Sequence, residues 1–404
     1  MKKILTEVLK EIKPTDKERK ETFSKIDRVI KQIQKNIPNA KVILGGSGKK
    51  GTWLKTAHDA DIFVQFSKGK DISNILERKL KKSFKIKRLH GSRDYFQITQ
   101  DDFTFEIVPI IEINKADQAE NITDVSPLHA KWVLKHKKYQ DEIRLTKQFF
   151  KAAKVYGAES YINGFSGYIC EILTIYYKGF QNLVKNITKW KSKVMIDVEN
   201  YHKGKKILFE LDKAKTIGPL VIIDPVQKSR NAAAAVSEEK FEKIINYSKK
   251  FLTKSSKRYF EIQDIDIKKL KVGKNELFLF EAKTMSGKDD VVGCKLLKGF
   301  EHIKKELVKN EFKILSSDWE WNKLAKFYFV VKKEVLPDKK IVKGPPIRIK
   351  EGVVRFKKKH KDVFEKNKVL FAREKRDYRK ADQLMKAMLK DKYIKEKVKQ
   401  LTLK

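Results

Sequence analysis

GGSGKKGTWLKTAHDADIFVQF, residues 45–66, combines a glycine-rich turn with an alternating run in which carboxylates and apolar residues share a short segment. Side chains on a strand point alternately to its two faces, so Asp59 and Asp61 stand on one face while Ala60, Ile62 and Val64 line the opposite, buried one. Two carboxylates about 7 Å apart along the backbone, from the strand rise, repel each other unless a cation lies between them. Oxygen ligands at that spacing suit Mg²⁺, which takes one or two carboxylates and fills its octahedron with phosphate oxygens and water. Upstream, Gly45, Gly46 and Gly48 let the backbone approach a triphosphate, Ser47 supplies a hydroxyl, and Lys49 and Lys50 supply positive charge. A surface turn followed by a strand with two solvent-facing aspartates would also contain D-x-D. The Gly-Ser loop, the Thr52-Trp53 pair and the apolar run after the carboxylates favour a site for a nucleotide and its metal.

Two-metal nucleotidyl transfer calls for a third carboxylate, because one metal activates the attacking hydroxyl while the other holds the triphosphate. DFTFEIVPII, residues 102–111, offers Glu106 on a strand face shared with Thr104 and Val108. Asp101 and Asp102 precede that strand as its turn, and Glu112 lies beyond Pro109.

Outward from these strands, apolar residues at helical spacing predict two helices within residues 3–37, broken near Pro14 and restarted by Thr15-Asp16 as a cap. KVILGG (41–46), DADIFVQF (59–66), RDYFQIT (93–99) and DFTFEIVPII read as strands, with a helix over SNILERKLKKSF. The pattern then turns helical through KWVLKH, through EIRLTKQFFKAAKVYG to Gly157, and through FSGYICEILTIYYKGF. Ser166 starts a helix there and is no hydrolase nucleophile, since F-S-G is not G-x-S-x-G. GPLVIIDPV (218–226) reads as a strand, and Ser237 caps a helix with Glu238 and Glu239 in its first turn. A third unit alternates NELFLFEAK, a long helix near 295–312, KILSSDWEW and KFYFVVKKE, the order of a small ferredoxin or RNA-recognition sandwich. Gly344-Pro345-Pro346 reads as a boundary before a basic tail that ends in a helix. The fold class is therefore α+β and multidomain: a catalytic head (1–130), a central helical neck (131–250), an α/β body (251–345) and a basic tail (346–404).

The net charge of +41, from 93 Lys and Arg against 52 Asp and Glu, exceeds what solubility requires and is the footprint of a polyanion partner, nucleic acid first. A lysine-decorated surface adapted to heat or salt would give the same balance. The spread of basic residues over the whole chain argues against an anionic membrane surface. No window approaches the roughly 18–20 apolar residues of a membrane span, and no secretory signal is legible, so the expected location is the cytoplasm. Cys170 and Cys294, in no C-x-x-C pair, are expected to be reduced packing residues.

GSGKKGTWLKTAHDADIF resembles the GS…DxD signature of the DNA polymerase β-like nucleotidyltransferases. The ordered set GTWL, EIVPII, SPLHAKWV, YGAESYINGFSGYICEIL and IIDPVQKSRNAAAAVS is similar, more narrowly, to the archaeal-type (class I) CCA-adding enzymes. The likeness runs in order over about residues 40–240 and weakens through GPPIRI and the tail. It implies a polymerase-β-like nucleotidyltransferase head, with Asp59, Asp61 and Glu106 as catalytic and Mg²⁺-binding residues. It also implies a nucleotide pocket of Gly46, Ser47, Lys50, Ser126, His129, Lys147, Tyr156 and Arg230. The implied partners are the acceptor arm and 3′ end of tRNA, gripped by the basic tail, with CTP and ATP as substrates and a homodimer admitted. Lys50 stands where the family usually carries Arg, and Glu106 where it commonly carries Asp. Without the resemblance, His129 reads as a helix-start residue and Lys147 as part of a solvated face. Lys147 and Tyr156 are nine residues apart, about two and a half turns, so on one unbroken helix they would face opposite sides. Either Tyr156 reaches the pocket from a frayed end beside Gly157, or the resemblance does not carry over to one of the two residues.

Overall fold

The computed structural model describes residues 1–203, 207–265, 270, 272–322 and 324–404. The chain divides into two compact units, Met1–Gln263 and Asp264–Lys404.

The first unit opens with α1 (Lys2–Ile12) and α2 (Asp16–Asn36). Thr15 caps α2 reciprocally: its hydroxyl accepts from the Glu18 N–H, and the Glu18 carboxylate accepts from the Thr15 N–H. A five-stranded sheet follows, built from β1 (Lys41–Leu44), β2 (Asp59–Phe66), β3 (Lys87–Leu89), β4 (Tyr95–Gln100) and β5 (Phe103–Ile111) in the order β1-β2-β5-β4-β3. Only β2 and β5 pair in parallel. The Gly-Ser segment between β1 and β2 forms one short helix, α3 (Gly46–Lys50), and α4 (Ile72–Leu80) links β2 to β3. Ile26, Val29 and Ile33 of α2 and Leu76 and Leu80 of α4 pack with Ala60, Ile62, Val64, Phe105 and Ile107 into one core. That covered face leaves the odd-numbered residues of β2 for the other side of the sheet.

The helical segment comprises α5 (Ser126–Leu134), α6 (Gln140–Ala152), α7 (Gly167–Tyr176) and α8 (Phe180–Ile187). Ser166 caps α7 through its hydroxyl, which accepts from the Ile169 N–H. A small sheet that hydropathy reveals only in its middle strand comes next: β6 (Val194–Asp197), β7 (Leu220–Asp224) and β8 (Gln227–Asn231), with α9 (Ile207–Glu210) between the first two. The fully buried β7 is the strand the sequence shows. β8, reading QKSRN, has almost no apolar residue to mark it. α10 (Glu238–Thr253), capped by Ser237, closes an aromatic core of Phe149, Phe180, Phe251 and Phe260. Leu5 and Val8 of α1 belong to this core, so the first helix packs with the helical segment and not with the sheet that follows it in sequence.

In the second unit β9 (Glu276–Lys283), α11 (Asp289–Lys309), β10 (Ile314–Trp321) and β11 (Ala325–Val331) are followed by β12 (Lys339–Pro346), α12 (Lys350–Lys359), β13 (Val363–Lys366) and β14 (Val369–Lys375). α13 (Ala381–Met388), α14 (Lys392–Lys395) and β15 (Gln400–Leu403) complete it. The main sheet runs β10-β11-β9-β15, all antiparallel, with α11, α13 and α14 sharing its core through Leu296, Phe300, Leu384, Met385 and Ile394. The chain therefore ends in a strand, not in the helix expected. Gly344-Pro345-Pro346 is no boundary but the end of β12, which pairs with β14 in a second sheet, β12-β14-β13. Gly344 is needed for packing: a Cβ there would stand 2.8 Å from the Phe356 ring of α12. Among the described residues no helix is long and apolar enough to cross a membrane.

Candidate active site

The parallel register sets Asp59 beside Thr104 and Asp61 beside Glu106, which brings the three carboxylates onto one sheet face. The Gln97 side-chain amide on β4 donates to Glu106 at 3.0 Å and fixes it from the far side. The Gly45 N–H donates to the Asp61 carbonyl at 2.8 Å, so the loop is tied to the strand it precedes. Gly46, at φ +51°, lies directly over the Asp61 carboxylate, and a Cβ there would fall 1.6 Å from Oδ2. Burial, then the charges of Glu106 and Asp59, push the Asp61 carboxyl up from the usual 3.8 to about 6, against the pull of Lys50 and Lys147. Three carboxylates on one sheet face present oxygen donors of the kind a hard cation takes. Among the described residues no three acidic or imidazole side chains already close around a common point.

The far wall comes from one face of α6. Gln140, Arg144 and Lys147 recur at helical spacing and so point the same way. Gln140 donates to the Lys50 carbonyl at 2.8 Å, and Arg144 donates to the carbonyls of Gly51 at 2.7 Å and Trp53 at 3.0 Å. Lys147 donates to the Thr52 hydroxyl at 2.9 Å. Lys151, one turn on, faces Asp59, whose charge opposes the lowering of its ammonium pKa by burial. Lys147 is 4 % exposed, so it is not the solvated residue that its sequence context suggests, while His129, near the start of α5, is buried at 8 %.

Lys50 and Lys147 each donate at 2.8 Å to Glu171 of α7, which also accepts from Thr52 at 2.8 Å. Burial pushes the Glu171 carboxyl up, but Lys147 and Lys50 overcome it and hold the group at about 2. Two buried ammoniums against one carboxylate leave net positive charge facing the acidic cluster. Glu171 is a residue that sequence reasoning missed, and it is the partner through which Thr52 joins the site. The signal was present, since Glu171 is the single charged residue of GYICEILTIY.

Tyr156 reaches this region because α6 stops at Ala152 and Lys154 turns the chain at φ +56°, after which Tyr156 bridges Phe165. A Cβ on Gly167 would meet the Tyr156 hydroxyl at 2.8 Å and Lys147 Cε at 3.6 Å. Lys147 and Tyr156 therefore converge on the start of α7, and the nine-residue spacing is no obstacle once the helix ends.

A third group surrounds Asp224, which is 0 % exposed. It accepts from Arg230 at 2.6 Å and from the Tyr168 hydroxyl at 3.2 Å, and it pairs with His129 Nε2 at 3.0 Å. The Val226 N–H donates to it at 3.0 Å. The His129 and Tyr168 rings lie 4.1 Å apart, and Lys50 sits 5.0 Å over the Tyr168 ring, which joins this group to the lysine pair. α5, which carries His129, is anchored through the residue pair before it: buried Asp124 accepts from Arg93 and from the Ile111 N–H at the end of β5. Ser126 begins that helix, and Ser47 lies in α3, where its carbonyl accepts from the Thr52 N–H at 3.0 Å.

Comparison with known proteins gives three matches in order along the chain: "Nucleotidyltransferase domain" over residues 26–196, "tRNA nucleotidyltransferase, second domain" over 141–261 and "CCA-adding enzyme, C-terminal domain" over 278–401. A CCA-adding enzyme of Nanoarchaeum equitans is 36% identical over 356 residues, covering 86% of this chain and 87% of that protein. The chain belongs to the CCA-adding enzyme family. A second member, from Methanocaldococcus jannaschii, is 31% identical over 400 residues, covering 94% of this chain and 88% of its own. Among solved structures, a cytoplasmic RNA terminal U-transferase matches with a TM-score of 0.51 at 17% identity, over 65% of this chain and 98% of that one. The Cid1 poly(U) polymerase matches with the same TM-score, identity and coverage. These two likenesses concern the fold alone. Family membership makes the chain a CCA-adding tRNA nucleotidyltransferase, and such enzymes are generally metal-dependent.

Proposed function

We infer that this protein adds and repairs the 3′-terminal CCA of tRNA from CTP and ATP, without a nucleic-acid template. Nucleotides join one at a time by attack of the RNA 3′-hydroxyl on the α-phosphate, with pyrophosphate leaving. The observation that carries the reading is the register of Asp61 against Glu106, beneath a glycine that leaves their carboxylates uncovered. Asp59, Asp61 and Glu106 would hold Mg²⁺, which would supply charge neutralisation at the triphosphate and favour ionisation of the attacking hydroxyl. Gln97 keeps Glu106 aimed at the shared face. Lys50 and Lys147, with Tyr156 beside them, take the β- and γ-phosphates, and Gly46 and Ser47 cover the phosphates from the loop. Charge developing on the departing pyrophosphate is met by a dry, prearranged pair of ammoniums, which cost little to reorganise.

His129 and Arg230 form the base side of the pocket, with Ser126 at the entrance to α5. Arg230, 31 % exposed at its side chain, is the donor placed to test the base. A guanidinium donates only, so it fits the unprotonated ring nitrogen on the pairing edge of cytosine and adenine and not the N–H that uracil and guanine present there. We read the five-stranded sheet as a polymerase-β-like head and the helices after it as a neck. The second unit is a ferredoxin-like body whose basic insert and flanks hold the acceptor arm through phosphates and shape.

The test supplies Mg²⁺, tRNAs ending before CCA, after C and after CC, and one labelled nucleotide at a time. Addition of C, C and A followed by arrest is expected. Long homopolymer tails on any RNA would refute the reading, as would an Asp61→Ala protein as active as the wild type.

A further inference from the structure

Asp224 is a buried carboxylate with four hydrogen-bond partners, and none of the assignments above gives it a task. It sits at the end of β7, wholly buried, and accepts from Arg230, Tyr168 and the Val226 N–H while pairing with His129. With its lone-pair positions spent on these partners, it has no edge left to offer a base. The partners are of two kinds. Val226 and Tyr168 anchor the carboxylate, one through the β7–β8 turn and one through α7. Arg230 and His129 are in turn anchored by it, from β8 and α5.

Arg230 carries most of the argument. β8 is short and polar, and among the described residues the one acidic partner of Arg230 is Asp224, through a single guanidinium nitrogen. A long, flexible side chain held at one end of its planar fork keeps the remaining N–H groups in a fixed plane and direction. Without that hold its rotamers would be free, and a donor that can swing meets the carbonyl of uracil as readily as the ring nitrogen of cytosine. Discrimination between bases depends on leaving the wrong one unpaired, which requires a donor that cannot move to rescue it.

We propose that Asp224 is a positioning residue that sets nucleotide selectivity by locking Arg230 and His129 on the base side of the pocket. The inference rests on the reading of Arg230 as a base contact. It assigns the choice of C and A over U and G to a carboxylate that never touches the nucleotide.

The experiment measures kcat and KM for CTP and UTP on tRNA lacking CCA, and for ATP and GTP on tRNA ending in CC, with inhibition by inorganic pyrophosphate as a readout of the phosphate side. Asp224→Asn, Arg230→Ala and the double variant are compared with the wild type. Asp224→Asn is expected to lose at least about tenfold in both selectivity ratios, mainly through weaker discrimination in KM, with pyrophosphate inhibition unchanged. The double variant is expected to be no less selective than Arg230→Ala alone, because the two act as one unit. If Asp224→Asn does not give the wild-type circular dichroism spectrum, Asp224→Glu carries the test. It keeps the charge but displaces the carboxylate by a methylene, and the same loss of selectivity is expected. Wild-type selectivity in the folded Asp224 variant overturns the inference, as does a selectivity loss that adds fully to that of Arg230→Ala. Arg230→Ala selecting normally overturns the base-contact reading and the inference with it. Failure of the wild type to build CCA overturns the function itself.

Discussion

A methyl group added at residue 46 would occupy the space of the Asp61 carboxylate, 1.6 Å from Oδ2, at a backbone φ of +51° that disfavours any side chain. Gly46→Ala is therefore expected to abolish nucleotide addition and to lower stability by about 1–3 kcal/mol, read by thermal melts beside the transfer assay. The carboxylate it protects is itself strained electrostatically. Its folded-state pKa is raised from 3.8 to about 6, so between these values the native protein holds a proton that the unfolded chain has released. Stability from this group consequently falls as pH rises through that window, by about 3 kcal/mol at about 1.4 kcal/mol per unit. Asp61→Asn is expected to melt higher than the wild type at pH 8 in chelator, by up to about 3 kcal/mol, while losing activity. Equal melting of the two proteins at pH 8 would count against the carboxylate cluster. Added Mg²⁺ competes with the proton, so the acid limb of activity near pH 6 should move to lower pH as Mg²⁺ is raised.

At the level of elements, α6 grips the loop after α3 mainly by that loop's backbone: Gln140 and Arg144 donate to the carbonyl oxygens of Lys50, Gly51 and Trp53. Such contacts leave no mark in hydropathy, which is why the sequence shows α6 as an amphipathic helix and not as a wall of the site. The strand pair behaves differently. The two-residue period of DADIFVQF and the apolar flanks of Glu106 make the carboxylate face legible, because one face of each strand must be buried. What the sequence could not place was Tyr156, whose position depends on α6 ending at Ala152, and the pairing of Glu171 with residues from the loop and from α6. Long-range charge pairing has no local period to read. For Glu171 the folded-state pKa is depressed from 4.5 to about 2, so its contribution is complete above 4.5 and is lost as pH falls toward 2. Glu171→Gln leaves two buried ammoniums uncompensated and is expected to cost about 3–5 kcal/mol at pH 7 in urea unfolding. The cost should shrink at pH 3, where more than half of the pair's contribution to wild-type stability has gone although the native carboxylate is still ionised.

Across the whole molecule the charge of +41 makes RNA binding a matter of counterion release. Affinity for tRNA is expected to fall by about tenfold or more per doubling of salt in filter-binding titrations if about four or more phosphates are neutralised. A flat salt response would remove the polyanion argument. The division into two units and the order of their strands were only partly legible. Residues 276–331 show their strand and helix periods plainly, whereas the return of the chain to β9 through β15 is concealed by distance: Thr402 bonds to the Glu281 carbonyl across 121 residues. The proline pair at Pro345-Pro346 misled because prolines at the end of an edge strand look, in one dimension, like those of a linker.

The pairing of β15 with β9 also sets an order in time. A ribosome delivers residues 1–263 before any of the second unit, so the described strands of the first unit, the last of which closes at Asn231, can assemble while translation continues. β9 emerges next, but one of its flanks stays open until residues 400–403 have been made. During that interval a nascent chain has a finished catalytic sheet and an unsatisfied strand edge at once. That edge, more than the carboxylate cluster, is where a chaperone would be needed.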